Sequence, residues 1–492
     1  MASANIVDRV IGYFSPRAGI VRLAAREALK RAYEGASRAD GWAPRRPGAS
    51  ANTDHAADAR ELRSRARALY HNVPYIKRGI NARVENAIGT GISPRSLASG
   101  ALRRQVDDLW DAWQSVADAD GVSDFYGLWA RAYRSLRLDG EVMMRLRPRS
   151  VDDGLPVPLQ VQLLEIDYLD SGKNGTLNGN TIINGIEYNP IGQVTAYWLF
   201  NEHPGELQTV RGLRTSVAVP ANRIIHLFKA DRPGAKRGVS TLASVIARVR
   251  DLQNYEDAEL ARKNLETRLS VLASGDVSQM AAPEAGQDVT TGSLGELPSG
   301  GVTSVPPGVN LTVIEPKAAP GYEAYVKHQL HLIAVGMEVT YEMLTGDMTG
   351  VNFSSARVAL IDFRRSVEHE QWLELIPHMT RLWREFIDTA YLARSLPMRE
   401  YAVDWSTPKW DYVNPLQEVN ADNAEIAGGL SSISEKLRRR GYKPDLVFEE
   451  IASDFRRLSD SGVLPMLLAM KSGNASALPA SIDAPEPGGQ DE

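Results

Sequence analysis

The chain has no cysteine among its 492 residues. Disulfides, thiolate zinc sites, iron–sulfur clusters and cysteine nucleophiles are excluded together. Histidine is scarce, at eight residues, and His369-Glu370 lacks the second histidine that a His-Glu-x-x-His zinc motif requires. His328 and His331 share a helix face without a carboxylate in register and read as surface or interface residues. Also missing are a Gly-x-Ser-x-Gly elbow, a Walker lysine and the protein-kinase motifs. Gly89-Thr90-Gly91 lacks the third glycine of a dinucleotide fingerprint and reads as a helix end. Asp118-Ala119-Asp120-Gly121 does not make a calcium loop, because aligning Gly121 with that motif's glycine puts Val116 at the first ligand position. These absences lead to the expectation of a non-enzymatic protein with no catalytic residue, no metal and no cofactor.

No apolar run approaches the roughly 20 residues of a membrane helix. Asp8, Arg9, Arg17 and Arg22 interrupt the stretch where a signal peptide would need its apolar core, so synthesis in a cytoplasm is expected. Excess positive charge is lacking too: 56 Lys+Arg against 61 Asp+Glu give a net charge of -5, with a pI near 6.0. A protein that grips nucleic acid over its whole surface is basic. Any DNA contact here is therefore local or weak. The exception is residues 1–70, where thirteen Arg and Lys face seven Asp and Glu. The Pro, Gly, Ser and Ala of Gly41 to Asp54 read as a linker within this basic arm.

What the chain does contain is a change of period. Helical patterns run over Ala56–Leu69, from Pro74 to about Ile88, and over 102–117 and 123–138. Short β-rich segments follow at 141–147, 159–164, 182–188, 194–200, 217–219 and 223–228, separated by Gly, Asn and Pro. Helices then return. Ser240 is placed to cap one reaching about Leu269, roughly 45 Å long at 1.5 Å per residue. Alternating charge along its flanks fits either a solvated helix or packing against copies of itself. After a Gly/Pro-rich stretch with one β-like segment at Val309–Ile314, a helix is expected over Tyr322–Gly336. Another, capped by Ser354-Ser355, should reach Tyr391 with a kink at Pro377. Helices flanking an antiparallel region make the class α+β.

Four segments together resemble the lambda-like family of phage portal proteins. They are Arg67 to Pro94, containing Asn72-Val-Pro74 and Ile88-Gly-Thr-Gly-Ile92; Arg237-Gly-Val-Ser240; Gly336-Met-Glu-Val-Thr-Tyr-Glu-Met-Leu-Thr-Gly-Asp347 with Asn352-Phe-Ser-Ser-Ala-Arg357; and Trp410-Asp-Tyr-Val-Asn-Pro-Leu-Gln-Glu418 with Gly429-Leu-Ser-Ser432. Asn414, Gln417 and Phe353 depart from the Asp, Lys and Tyr usual in that family.

The resemblance implies a ring of self-associated copies, dodecameric in the capsid, at one vertex of a virion made in a host cytoplasm. Double-stranded DNA enters through its channel, driven by the terminase, and later leaves by the same route. Implied partners are the terminase large subunit, a head-tail adaptor, the major capsid protein and the scaffold. By order and length the parts fall as a basic arm (1–55), wing (56–239), first stem helix (240–270), clip (271–320), second stem helix (321–345), tunnel loop (346–353), long helix (354–395), return to the wing (396–415), crown (416–470) and acidic tail (471–492). The tunnel loop comprises Gly346, Asp347, Met348, Thr349, Gly350, Val351, Asn352 and Phe353, with Ser354, Ser355 and Arg357 as its anchor. Small and nearly uncharged, such a loop suits a path along which DNA slides without being held. The competing readings are a Mg²⁺-dependent nucleic-acid-processing enzyme and a scaffold that forms no ring.

Overall fold

The computed structural model describes residues 48–206, 215–267, 270–274, 310–314, 321–410, 415–440, 442 and 444–464. Most of the arm and clip, and the whole acidic tail, lie outside the described residues. The chain divides into two compact units, Met1–Ala57 and Asp58–Glu492. In the first, helix α1 (Ala51–Asn72) already begins, because Ser50 Oγ accepts the Thr53 amide at 3.2 Å. The expected linker therefore ends before Ala51.

In the second unit, α2 (Pro74–Ala87) has Pro74 in its first turn, where the missing N–H costs nothing. Strand β1 (Ser93–Ser96) and helices α3 (Gly100–Gln114) and α4 (Phe125–Asp139) follow. Asp124 caps α4, which begins two residues beyond the expected 123. The Asp118 carboxylate between α3 and α4 accepts the amides of Asp120, Val122 and Ser123 and pairs with Arg131. It is a loop organiser.

Strands β2 (Glu141–Pro148) and β3 (Leu159–Leu164) lead into a meander of β4 (Gly175–Leu177), β5 (Asn180–Ile183), β6 (Ile186–Tyr188), β7 (Val194–Phe200) and β8 (Ser216–Pro220), and then β9 (Ile224–Phe228). They form an antiparallel three-stranded sheet, β3-β2-β9, and a five-stranded one, β4 to β8. Alternation along β2 divides the interior. Val142, Met144 and Leu146 join the large helical core, whereas Met143 packs with Ile186, Tyr197 and Leu199 between the sheets.

The helix expected from Ser240 starts later. Ser240 caps a 3₁₀ turn, Thr241–Ser244, and α5 runs Ile246–Thr267. Strands β10 (Ser270–Ser274) and β11 (Asn310–Ile314) pair antiparallel. Helix α6 is Tyr322–Gly336, as expected, followed by the short α7 (Tyr341–Thr345) and α8 (Phe353–Glu370). Asn352, not Ser354-Ser355, caps α8, its side chain accepting the Ser355 amide at 2.8 Å.

The expected kink takes the form of a π-turn, Gln371–Leu375, directly before α9 (Ile376–Leu392). Pro377 has no N–H for the carbonyl four residues back, and the widened turn absorbs that loss. Strand β12 (Val403–Ser406) returns to pair with β1. Helices α10 (Pro415–Ala427), α11 (Ile433–Arg439) and α12 (Pro444–Asp460) complete the described chain. An aromatic cluster centres the core: the Trp110 ring lies 5.1 Å from Trp383, 4.9 Å from Phe125 and 5.0 Å from Phe386.

Candidate functional site

The candidate loop, Gly346 to Phe353, is held at both ends by local chemistry. Gly346 ends α7 in the left-handed region at φ +77°, where a side chain would be strained, and its amide reaches Glu342 O at 2.8 Å. Asp347 is the only charged residue in the loop. Its carboxylate accepts the Thr349 hydroxyl and, at 2.9 Å, the Thr349 amide. Tyr341 donates to it at 3.2 Å, and the Lys327 ammonium lies 3.9 Å away. The bonds from Thr349 and Tyr341, with the Lys327 charge, outweigh partial desolvation and hold the Asp347 carboxyl below the usual range. The one loop charge is thus turned to the loop's own base. Met348, Thr349 and Gly350 remain exposed, and Asn352 closes the loop by capping α8.

Of the expected anchor residues, Ser355 bonds to Asn352 through its amide and hydroxyl, at 2.8 and 3.0 Å. Ser354 is exposed. Arg357 is half-buried and makes no hydrogen bond or ion pair among the described residues. Anchoring falls to Asn352 and Ser355 instead.

At the far end of α8 from the loop lies a buried charge cluster that sequence reasoning missed. Glu370, at the end of α8, accepts Arg83 of α2 at 2.7 Å and Arg137 of α4 at 2.8 Å, and Tyr133 donates its hydroxyl to the same carboxylate. Arg137 also reaches Glu338 at 2.9 Å, and Arg83 bonds to Ser366 at 2.7 Å. Burial raises the Tyr133 hydroxyl pKa, with Glu370 adding to the shift, so Tyr133 stays a donor. Burial pushes the Glu338 carboxyl up, but Arg137, Lys229 and Arg83 outweigh it and keep it below the usual carboxylate range. Gln371 then donates to Ala87 O at 2.7 Å, meeting a carbonyl that the end of α2 leaves unpaired. These contacts fix the rear of α8 against α2 and α4.

The other motifs have structural duties of the same kind. Arg237 grips buried Glu141 through two bonds of 2.6 and 2.7 Å, with His226 on the same carboxylate at 3.1 Å. Gly238 follows because a Cβ there would lie 2.1 Å from Gly140 O. Ser240 Oγ then accepts the Leu242 amide at 3.2 Å. Arg67 forks onto Asp139, with two bonds of 2.8 Å. Glu165, Asp167 and His203 bring ligand atoms within 4.8 Å of one another, but Arg67 and Arg63 lie 2.7 and 3.5 Å from Asp167 and already balance its charge. His331 stacks on Tyr341. Among the described residues, no helix is long and apolar enough to cross a membrane.

The family described as phage portal protein, lambda family, matches residues 36–371. The chain belongs to that family. The probable portal protein of Halomonas phage phiHAP-1 is 27% identical over 430 residues, covering 82% of each chain. Portal protein B of Escherichia phage lambda is 21% identical over 337 residues, covering 60% of this chain and 62% of its own. Among solved structures, the neck of a native GTA particle computed with C12 symmetry is matched at 16% identity and TM-score 0.44, covering 78% of this chain and 94% of that one. Three of the four portal motifs read from sequence fall inside the matched residues, which also hold Arg83, Arg137 and the candidate loop.

Proposed function

We propose that this portal protein assembles into a ring, dodecameric in the capsid, whose axial channel carries double-stranded DNA inward during packaging and outward during ejection. The family match over residues 36–371 carries the reading. In it, Gly346 to Phe353 is the tunnel loop, α5 and α6 are the stem, β10 and β11 belong to the clip, and α10 to α12 lie in the crown.

The loop chemistry suits the role. A channel must let phosphates pass without a deep binding well, and this loop exposes Met348, Thr349 and Gly350 while its carboxylate faces inward. The chain moves DNA by no chemistry of its own: the terminase large subunit supplies the force, and a head-tail adaptor, the major capsid protein and the scaffold dock around the ring. Synthesis takes place in the host cytoplasm.

Electron microscopy of the purified protein, with a Mg²⁺ nuclease assay on the same sample, tests this. Rings with an open axial hole and no cleavage are expected. Metal-dependent cleavage abolished by one carboxylate substitution would replace the conduit with an enzyme.

A further inference from the structure

Helix α8 carries two unlike faces. On one side, a cleft of about 710 Å³ between α6–α7 and α8 is lined by Val335, Glu342, Ala359, Asp362 and Phe363. Val335 is 73% exposed. The Glu342 and Asp362 carboxylates have no hydrogen-bond or ion-pair partner among the described residues. The other charged groups in the cleft are already engaged: Arg83, Glu338 and Glu370 in the buried cluster, Lys229 toward Glu374 at 3.9 Å, and the exposed His369 acting on the same Glu374. His331 lies flat on Tyr341. The cleft thus offers apolar surface and two unspent negative charges.

At about 100° per residue, Arg357, Ile361 and Arg365 stand four apart on roughly the opposite side of α8 from Ala359 and Phe363, and Asp362 stands at the edge between the two faces. Ile361 and the adjacent Val358 are 41% and 68% exposed. Neither Arg357 nor Arg365 has a partner among the described residues. This ridge offers apolar surface and two unspent positive charges.

A closed ring needs a heterologous contact, in which one face of a subunit meets a different face of the next. We infer that α8 is the seam of the ring: the Arg357–Ile361–Arg365 ridge of one copy seats in the Glu342/Asp362 cleft of its neighbour. The inference rests on the ring reading above and adds the contact that closes the ring. Guanidinium pairs there with carboxylate, while Val358 and Ile361 cover Val335 and Ala359. Because the seam runs along the helix that Asn352 caps, closure also sets the spacing of the candidate loops around the axis.

Charge reversal tests this in the full-length chain. Arg357→Glu with Arg365→Glu, and separately Glu342→Lys with Asp362→Lys, should each lower the ring fraction in mass photometry about tenfold at fixed concentration. Combining all four substitutions should restore rings, since every subunit then carries both reversed faces. Far-ultraviolet circular dichroism spectra measured alongside should match wild type. The milder Arg357→Ala/Arg365→Ala pair should fall between the reversals and wild type. Wild-type rings with charge-reversed variants that assemble equally well would overturn the seam and leave the ring reading intact, as would a folded fourfold variant that fails to recover. A wild-type chain monomeric at every concentration would overturn both.

Discussion

The two halves of α8 share one helix but not one environment. From Phe363 onward, Phe363, Val367 and Glu370 are buried, and two arginines from two other helices converge on Glu370. From Ser354 to Asp362 every residue is exposed or half-exposed, and the charged ones lack partners within the described chain. Helices draw most of their stability from tertiary packing. The rear half is therefore held by its own chain on its inner side, with Arg365 left outside, and the front half is left for another copy.

The sharpest way to break this contrast is at the rear. Glu370→Ala leaves Arg83 and Arg137 buried with only Glu338 to balance them, and should cost about 3–5 kcal/mol in urea unfolding. A cost near zero would mean that the cluster does not hold the rear half.

Acid should strike the same body next. His378, half-buried in α9, is pushed down to about 4 by desolvation, with His226 and Arg381 adding to the shift. The unfolded chain takes up this proton near pH 6.5, whereas the folded chain resists until about 4, so stability falls as pH drops through that window. The loss from this residue is at most about 3 kcal/mol. His378→Leu should flatten the stability profile between pH 6.5 and 4. A profile as steep as wild type would reassign the effect to other groups.

At the front, Asn352→Ala removes a cap worth about 1 kcal/mol. Hydrogen exchange should quicken over residues 353–357 while the melting temperature barely moves. Smallest in stability is Met348→Ser, an exposed change expected to stay within about 0.5 kcal/mol. Its effect should appear only in DNA passage, measured as packaging rate into capsids.

The sequence made the fold class and most element positions legible because hydrophobic period and turn residues are local signals. The α6 span and five of the six β-rich segments were read this way; the sixth, 182–188, turns at Asn184-Gly185 into the β5–β6 hairpin, and the short β4 was missed. Caps were read less well, because Asn352 and Ser354 are equally plausible until geometry shows which side chain reaches an amide. Pro377 announced an interruption, but the form it takes depends on the turn before it. The Glu370 cluster was illegible: Arg83, the Tyr133–Arg137 pair of α4, Glu338 and Glu370 lie far apart in the chain, and a buried arginine has no local pattern. The candidate loop was found through its motif, and the local bonds of Asp347 show why that motif holds its carboxylate where it does.

The most direct test is a cryo-EM reconstruction of the assembled wild-type ring at a resolution that traces α8. The expected map places Gly346 to Phe353 at the channel wall, with the front half of α8 packed against the neighbouring subunit. A map with this loop on the outer surface, or with the front of α8 facing solvent, would contradict it.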